Sequence, residues 1–276
     1  MAQPTAASSP AYVHGYDERE RERLEDQAGA LVSLLHHDTR YPAGSRVLEA
    51  GCGVGAQTVT LATNSPAAQI VSVDISAESV ATARRRVEER EITNVEFHVG
   101  DLFHLPFPEA SFDHLFVCFV LEHLSRPAEA LATLRRAVRP GGTITVIEGD
   151  HGSTFFHPDN DDARAAVQCQ VELQRRSGGN ANIGRQLYPL LVEAGFAEVS
   201  VSPRLVYVDG SRPDLIDGFT RRTFTAMIEG IRAPALEARL TTAERFDAGI
   251  AALNRTAEPD GMFSYMFFKG TARVAG

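Results

Sequence analysis

The sequence predicts an α/β fold in which a mainly parallel sheet carries helices on both faces. Short apolar runs alternate with charged, helix-like stretches from Ser45 to Asp150, which is the spacing of strand–helix–strand units. The first apolar run ends in a glycine-rich turn that leads directly into a helix. Two connections later in the chain are too long for ordinary loops. These observations together indicate a doubly wound sheet with inserted helices.

The periodicity places each element of the first half. Helical stretches begin after Gly55, at Ser76, whose hydroxyl is a typical N-cap, and near Pro127, and the last of these stops at the segment VRPGG (138–142). Each of the predicted strands is apolar enough to be buried. These strands are 46–50, 69–74, 95–99, 112–119 and 143–148.

Beyond Asp150 the strict alternation is lost. The segment HGSTFFHPDND is predicted to be a loop, followed by a helix over 161–176 and a flexible stretch, 177–180. A helix over 185–194 ends at Gly195, a typical C-cap. Strands are predicted over 199–208 and 264–271, with helices between 212 and 258. We expect the inserted helices to cover the carboxyl edge of the sheet, where α/β proteins bind ligands.

No internal repeat or linker divides the chain, so one domain over residues 1–276 is expected. It consists of a flexible tail (1–15), N-terminal helices (16–44), a ligand-binding core (45–150) and a cap with the final strands (151–276). The amphipathic N-terminal helix, with its alternating charges, is either a solvated helix or a lid over the site. It also offers a route to homo-oligomers by exchange between subunits.

Composition excludes several classes of function. A net charge of −9 disfavours tight binding to nucleic acid, which requires clustered basic residues. No apolar run reaches the roughly 18 residues of a membrane span, and the N-terminus lacks the pattern of a secretory signal. The three cysteines are too few and too dispersed for a disulfide framework or a metal site. A cytoplasmic protein without a resident metal is therefore expected.

The strongest chemical signal is the segment VLEAGCGVG (47–55). Gly51, Gly53 and Gly55 allow a tight turn and a close approach of a ligand to the backbone. However, Ala56 stands where a dinucleotide-binding turn needs its third glycine, and the acidic Glu49 precedes the turn. A carboxylate there repels a diphosphate but suits a ligand that carries an ammonium or sulfonium group. S-adenosylmethionine carries both.

Two further acids follow the next strands. Asp74 ends the second strand, about 20 residues beyond the turn, where a carboxylate can accept hydrogen bonds from both ribose hydroxyls. Ile75 can cover one face of an adenine. Asp101, after the third strand, can hydrogen bond to the adenine amino group. An ordinary loop acid is the alternative interpretation of this residue taken alone.

A family resemblance is carried by five ordered segments: VLEAGCGVG (47–55), IVSVDIS (70–76), VGDLFHLPFPEASFD (99–113), FVCFVLEHL (116–124) and VRPGG (138–142). They resemble the motifs of the class I S-adenosylmethionine-dependent methyltransferases, and most closely the ubiquinone and menaquinone biosynthesis branch. The resemblance covers residues 45 to 150. It implies a Rossmann-like sheet of seven strands with the last one antiparallel, S-adenosylmethionine as cofactor and S-adenosylhomocysteine as product.

The resemblance also implies roles for individual residues. The amino-acid end of the cofactor would be held by Glu49, Gly51 and Gly53, and the ribose by Asp74. The adenine would be contacted by Ile75, Asp101 and Leu102, and the wall of the site would be formed by Cys118 and Phe119. Two further cofactor contacts are predicted from helices, Gln57 and the N-terminal Tyr16.

The acceptor is predicted to be a small, largely apolar molecule, prenylated, aromatic or indole-like, because the cap is rich in Phe, Leu and Met. A secondary metabolite methylated on carbon fits best, since aromatic faces stabilise cationic species. The substrate residues predicted on this basis are Tyr12, His151, Phe155, Phe156 and Phe224.

A general base is needed only if the acceptor loses a proton. The candidate catalytic residues follow the fourth and fifth strands: His157, His123, Glu122 and Asp150, with Glu148 also available. Methylation of oxygen or nitrogen with a His base is therefore one alternative. A non-catalytic partner that binds S-adenosylmethionine is another. An RNA or protein methyltransferase and a nicotinamide-dependent dehydrogenase fit the motifs less well.

Overall fold

A computed structural model describes residues 31–276 and shows seven strands in one sheet. The strands are β1 (Arg46–Ala50), β2 (Gln69–Asp74), β3 (Val95–Val99), β4 (Phe112–Cys118), β5 (Val138–His157), β6 (Ala197–Asp209) and β7 (Met262–Arg273). Tyr12, Tyr16 and most of the predicted N-terminal helices lie outside the described residues.

Helices connect these strands on both faces. They are α1 (residues 31–36), α2 (Ala56–Asn64), α3 (Ala77–Glu88), α4 (Pro127–Ala137), α5 (Asp161–Arg176), α6 (Leu187–Glu193), α7, α8 (Arg232–Glu237) and α9 (Ala243–Arg255). Helix α7 comprises three consecutive stretches, Pro213–Leu215, the π-helical Ile216–Thr225, and Ala226–Gly230. Short 3-10 turns lie at Leu121–His123 and Ile183–Gln186.

The strand order is β3-β2-β1-β4-β5-β7-β6. All neighbouring pairs up to β5 are parallel, whereas β7 runs antiparallel to both β5 and β6. The predicted fold class, including the antiparallel last strand, is confirmed. The chain leaves β1 toward β2 and later returns to its other side with β4. The carboxyl ends of β1 and β4 therefore flank the topological switch point, where open α/β sheets bind ligands.

One predicted loop is a strand. Residues 151–157 continue β5, and Phe155, Phe156 and His157 pair with the start of β7. The register shifts between Asp150 and Phe155, so the strand bends there. The loop prediction was wrong because Gly152, Ser153 and Thr154 interrupt the apolar pattern locally. The pairing that extends the strand comes from residues more than 100 positions away.

Two apolar layers hold the sheet. On one face Val47, Ile70 and Phe116 pack with residues of α1 and α2 and, farther along, with the cap helices α5 and α7 to α9. On the other face Leu48 and Val146 belong to a layer that includes residues of α4 and α6. Burial on both faces explains why β1 and β2 are almost continuous apolar runs. Within residues 31–276, no helix is both long and apolar enough to cross a membrane.

Candidate active site

The glycine turn after β1 requires all three glycines, each for a different reason. Gly51, Gly53 and Gly55 have φ angles of 76°, 50° and 80°, in the left-handed region that favours glycine. A Cβ on Gly51 would lie 2.5 Å from Cγ2 of Val120, and one on Gly55 would lie 2.8 Å from Cβ of Ala83. A Cβ on Gly53 would meet nothing within 4 Å. The turn therefore packs at its two ends and leaves open space at its middle.

Asp74 ties the turn to β2. Its Oδ2 accepts a hydrogen bond of 2.8 Å from the amide of Gly53, and its Oδ1 accepts one of 2.9 Å from the amide of Ser76. The backbone carbonyl of Asp74 also accepts from the amide of Gly100 after β3. A carboxylate has about four acceptor positions, so Asp74 can still accept from two further hydroxyls. One residue thus joins the ends of three strands at the predicted ribose position.

Glu49 lies beneath the turn and is 2% exposed. The hydroxyls of Thr58 and Ser72 donate to its Oε2 at 2.7 and 2.6 Å, which connects β1 with α2 and β2. Burial raises the pKa of Glu49 to about 7, although these two hydrogen bonds oppose the shift. No described residue donates to its Oε1. The carboxyl therefore supports the turn and retains one oxygen for a cationic ligand.

Apolar side chains are exposed where the adenine is predicted. Ile75 after β2 and Val99 at the end of β3 are 55% and 54% exposed. Leu102 is largely buried in the core below them. Oδ1 of Asp101 accepts from the amide of Phe103 at 2.9 Å, so its carboxylate is fixed in the turn that follows β3. Exposed aliphatic groups at two neighbouring strand ends are suited to the faces of a flat, apolar ring.

The segment after β4 lies between the glycine turn and the cap. Cys118 is buried, and Phe119 adopts a φ of 58° while its amide donates to the carbonyl of Ile147. The ring of Phe119 lies 5.4 Å from that of Phe267 on β7. Gln57, in the first turn of α2, interacts with His36 of α1. Phe119 and Val120 thus place the cofactor turn next to the aromatic side chains of the cap.

Two carboxyl groups lie close together, one in the 3-10 turn after β4 and the other in the middle of β5. Oε1 of Glu148 accepts hydrogen bonds from the amides of Val120 and Leu121 at 2.9 and 2.8 Å. Burial, and then the charge of Glu122, raise the pKa of Glu148 well above its usual range. Glu122 accepts from Gln174 of α5 and lies 3.5 Å from His123. The arrangement brings two acidic side chains together at this edge, and burial favours the neutral form of Glu148.

Both carboxylate oxygens of Asp150 accept hydrogen bonds from one arginine. The guanidinium of Arg185 donates to both of its oxygens, at 2.6 and 2.7 Å, and the carboxylate is 2% exposed. Such a bidentate pair is geometrically specific. The structure therefore gives Asp150 a role in joining β5 to the 3-10 turn before α6. It does not place Asp150 as a free base.

The next residue, His151, is buried and hydrogen bonded. Its Nδ1 lies 3.1 Å from the carbonyl oxygen of Ala181 and 3.1 Å from the hydroxyl of Tyr265. A carbonyl can only accept, so Nδ1 carries the proton in the neutral ring and Nε2 has the basic lone pair. Tyr265 reaches this position because residue 149 is glycine, where a Cβ would lie 2.3 Å from the Tyr265 hydroxyl.

Around this pair lies a group of rings that we call the aromatic cluster: Phe119, Phe219, Phe224, Phe263, Tyr265 and Phe267. Phe224 contacts His151 at 6.2 Å between ring centroids. Phe156 stacks on Phe263 at the far end of the cluster. Two of the predicted substrate residues, Phe224 and Phe156, therefore lie in or against the aromatic cluster.

The other predicted residues lie apart from this group. Phe155 is 47% exposed. His157 is also exposed, near Asp260, at the last position of β5. The structure therefore brings His151 to the aromatic cluster and leaves His157 at the surface.

Sequence reasoning overlooked two residues of this site. Tyr265 was not singled out from the sequence, yet it alternates with Phe263 and Phe267 along β7, and a period of two places all three on one face. No sequence pattern indicates Val120, because its role depends on the approach of the chain after β4 to Gly51. Glu148 can be recognised in the sequence, since it is an acid within the apolar run TITVIEG.

Comparison with known proteins agrees with the motif assignment. Residues 48–146 match a family model described as "Methyltransferase domain". An uncharacterized protein from a Streptomyces fradiae transposon is 38% identical over 214 residues, which cover 76% of this chain and 60% of the relative. A demethylmenaquinone methyltransferase of Thermus thermophilus is 33% identical over 38% of this chain and 48% of its own length. The chain thus spans about half to three fifths of the curated relatives it matches.

The fold also has solved counterparts. A geranyl diphosphate C-methyltransferase from Streptomyces coelicolor, crystallised with S-adenosylhomocysteine, superposes with a TM-score of 0.54. The match covers 98% of this chain and 86% of that protein at 14% sequence identity. At this identity the similarity concerns the fold. The resemblance predicted from the ordered motifs is confirmed by the family match.

Proposed function

We propose, from the match of residues 48–146 to a methyltransferase domain model, that the chain transfers the methyl group of S-adenosylmethionine to a small, largely apolar acceptor. The observation that supports the proposal most directly is that residues 119 and 120 contact both the glycine turn and the aromatic cluster. Val120 packs on the Gly51 position, and Phe119 packs on Phe267 of the aromatic cluster. The cofactor site and an apolar acceptor region therefore share one wall.

The residues present fit the cofactor. The open space at Gly53 leaves room for a ligand beside the backbone, and Asp74 retains acceptor positions for ribose hydroxyls. The exposed Ile75 and Val99 suit the faces of adenine. Oε1 of Glu49 suits the ammonium group. When bound, S-adenosylmethionine supplies an electrophilic methyl group on a sulfonium.

The protein contributes mainly alignment and exclusion of water. Holding two reactants in line can lower a barrier by roughly 7–11 kcal/mol. The aromatic cluster provides buried apolar surface for the acceptor, and its ring faces stabilise positive charge that develops on a carbon acceptor. Negative charge on Glu122 disfavours an anionic acceptor. Carbon methylation of an aromatic or prenylated molecule is therefore the leading proposal.

One observation favours the alternative of oxygen or nitrogen methylation. His151 has its Nδ1 proton committed to Ala181, which leaves Nε2 as an acceptor for a proton from a hydroxyl or amine. We assign this function to His151 in preference to His157, because only His151 contacts the aromatic cluster. A His151→Asn variant distinguishes the two chemistries.

The experiment uses methyl-labelled S-adenosylmethionine with a panel of quinols, phenols, prenylated indoles, sugars and nucleotides. We expect labelled product from an apolar aromatic acceptor, with the methylated atom identified by NMR. Carbon methylation should lose less than about tenfold in kcat on His151→Asn, whereas base-assisted methylation should lose about 10²–10⁴-fold. Phe155→Ala, at an exposed position of the same strand, serves as the control variant.

Labelling of sugars or nucleotides alone would refute the apolar acceptor. Binding of S-adenosylhomocysteine without labelling of any acceptor would instead support the non-catalytic partner.

A further inference from the structure

Glu148 is a buried carboxyl group with one satisfied and one unsatisfied oxygen. The side chain is 0% exposed, and its Oε1 accepts from the amides of Val120 and Leu121. Its Oε2 is equally buried and has no hydrogen-bond partner among residues 31–276. A charged oxygen left unpaired in the interior is costly. This environment favours a neutral carboxyl group.

The groups that face Glu148 favour the same state. Glu122 from the 3-10 turn, Cys118 from β4 and Tyr265 from β7 interact with it, and none of these three groups is cationic. Asp150, two residues farther along β5, is already paired with the guanidinium of Arg185. Burial and the negative charge of Glu122 raise the pKa of Glu148 well above its usual range, and the backbone amides of Leu121, Val120 and Glu122 only partly oppose them. The shift favours the neutral form of the carboxyl group.

The two amides that Glu148 holds belong to a strained segment. Phe119, immediately before them, has a φ of 58°, in the left-handed region that is unfavourable for a residue with a Cβ. Such a conformation persists only where its surroundings enforce it. Here the carbonyl of Ile147 accepts from the Phe119 amide, and Glu148 accepts from the next two amides. The middle of β5 thus fixes the chain after β4.

The fixed segment bears directly on the glycine turn. Cγ2 of Val120 would lie 2.5 Å from a Cβ on Gly51, so the valine side chain packs against the bare Cα of that glycine. The amides of Gly51 and Cys52 both donate to the carbonyl of Val73, which leaves the turn little freedom to move away. A shift of Val120 is therefore transmitted to the turn.

We infer that Glu148 is a positioning residue for the cofactor: it acts through Val120, which it holds against the Gly51 turn. The residue touches neither the acceptor nor the transferred methyl in this role. The inference rests on the cofactor part of the proposed function and is independent of the acceptor and of the methylated atom. It requires the hydrogen-bonding capacity of Glu148 and does not require its negative charge.

Calorimetry with S-adenosylhomocysteine tests the inference without any acceptor. Glu148→Leu removes both hydrogen bonds, and we expect the Kd to rise at least tenfold. Glu148→Gln keeps an oxygen for the two amides without a charge, and it should restore the Kd to within about threefold of wild type. Glu129→Leu, at an exposed acid of α4, is the matched control and should bind as wild type does.

A double-mutant cycle identifies the route through Val120. Val120→Ala should weaken binding, and the Glu148→Leu/Val120→Ala double variant should bind no worse than Glu148→Leu alone. Additive losses would overturn the route through Val120. A wild-type Kd for Glu148→Leu, or an equally poor Kd for Glu148→Gln, would overturn the inference itself. If Glu148→Leu does not fold, the Val120→Ala variant tests the inference instead. An unchanged Kd for S-adenosylhomocysteine in that variant would contradict the coupling between Val120 and the glycine turn.

A second readout tests the retained proton. The pKa of Glu148 is raised in the folded protein, so the unfolded chain loses the proton first as the pH rises. The folding equilibrium constant of wild type relative to Glu148→Gln should then fall as the pH rises above the ordinary range of a carboxyl group, by up to tenfold for each pH unit. A constant ratio would contradict the neutral carboxyl. Failure of wild type to bind S-adenosylhomocysteine would refute the proposed cofactor, which is a distinct outcome.

Discussion

Asp74 shows how a single carboxylate serves folding and ligand binding together. It accepts from the amides of Gly53 and Ser76, and so it fixes both the glycine turn and the start of α3. These bonds also orient its oxygens toward the carboxyl edge of the sheet, where the proposed ribose would lie. Residues of this kind are recognisable from sequence, because an acid that ends an apolar strand has few purely structural uses. Its geometry comes from the neighbouring strands.

We expect Asp74→Ala to weaken binding of S-adenosylhomocysteine by at least 100-fold. Two hydrogen bonds to a charged group contribute about 1.5–3 kcal/mol each, and the variant removes both. Asp74→Asn, which keeps one acceptor oxygen, should lose less. Calorimetry at pH 7 measures both variants, and an unchanged Kd for Asp74→Ala would reject the ribose assignment.

At the level of elements, the close approach of α2 to α3 depends on the end of the glycine turn. Gly55 is the N-cap of α2 and has a φ of 80°, and a Cβ there would lie 2.8 and 2.9 Å from Cβ and Cα of Ala83. Ala83 is fully buried on α3. Backbone contact of this kind cannot be relieved by a rotamer change. The third glycine therefore sets the packing of two helices, while the first two shape the site.

Gly55→Ala should destabilise the protein by about 2–4 kcal/mol, from a left-handed conformation and from overpacking. Gly141→Ala is a matched control, since Gly141 has a φ of 77° but open space around the added Cβ. It should cost only about 1–2 kcal/mol. Urea denaturation of the two variants compares them directly. Equal losses would show that contact with Ala83 contributes nothing.

Across the whole molecule, a polar group buried under α1 connects the N-terminal part of the chain to the last strand. Nζ of Lys269 on β7 donates to the carbonyl of Leu35 and to the side chains of Asp38 and Thr39. His36 is 1% exposed beside it. Burial, and then the charge of Lys269, lower the pKa of His36 to about 4, although Gln57 and Asp38 act in the opposite direction.

This burial predicts sensitivity of the fold to acid. The folded protein keeps His36 neutral, whereas the unfolded chain takes up a proton as the pH falls below the ordinary value of 6.5. Stability present at neutral pH is therefore lost as the pH falls from 6.5 toward 4, by about 2 kcal/mol between pH 7 and pH 5. His36→Leu should remove this part of the pH dependence in denaturation curves.

His104→Leu is the control for this change, because that imidazole is 83% exposed. An unaltered pH dependence in His36→Leu would exclude His36 as the acid-sensitive group.

Agreement between sequence and structure is closest where the signal is local. The strands β1 to β4, residues 143–148 of β5, the cap at Ser76 and the acids at the predicted cofactor edge follow from apolar runs, glycines and acids that are near each other in the chain. The start of β5 at Val138 does not, because it lies in the segment that the sequence predicts to end a helix. Disagreement arises where pairing is non-local. The continuation of β5 through residues 151–157 depends on β7, and no local pattern in a Gly-Ser-Thr segment can indicate it.

The amino-acid sequence by itself determined the fold class, the similarity of residues 48–146 to a methyltransferase domain and the edge of the sheet at which the cofactor is expected. Glycines, strand-ending acids and periodicity encode backbone conformation directly. Tertiary structure alone decided which side chains meet: Val120 on Gly51, Glu148 on the amides after β4, and Tyr265 on His151. It also separated His151 from His157, which are six residues apart on one strand. Distances between remote segments depend on packing, and packing is a property of the folded chain.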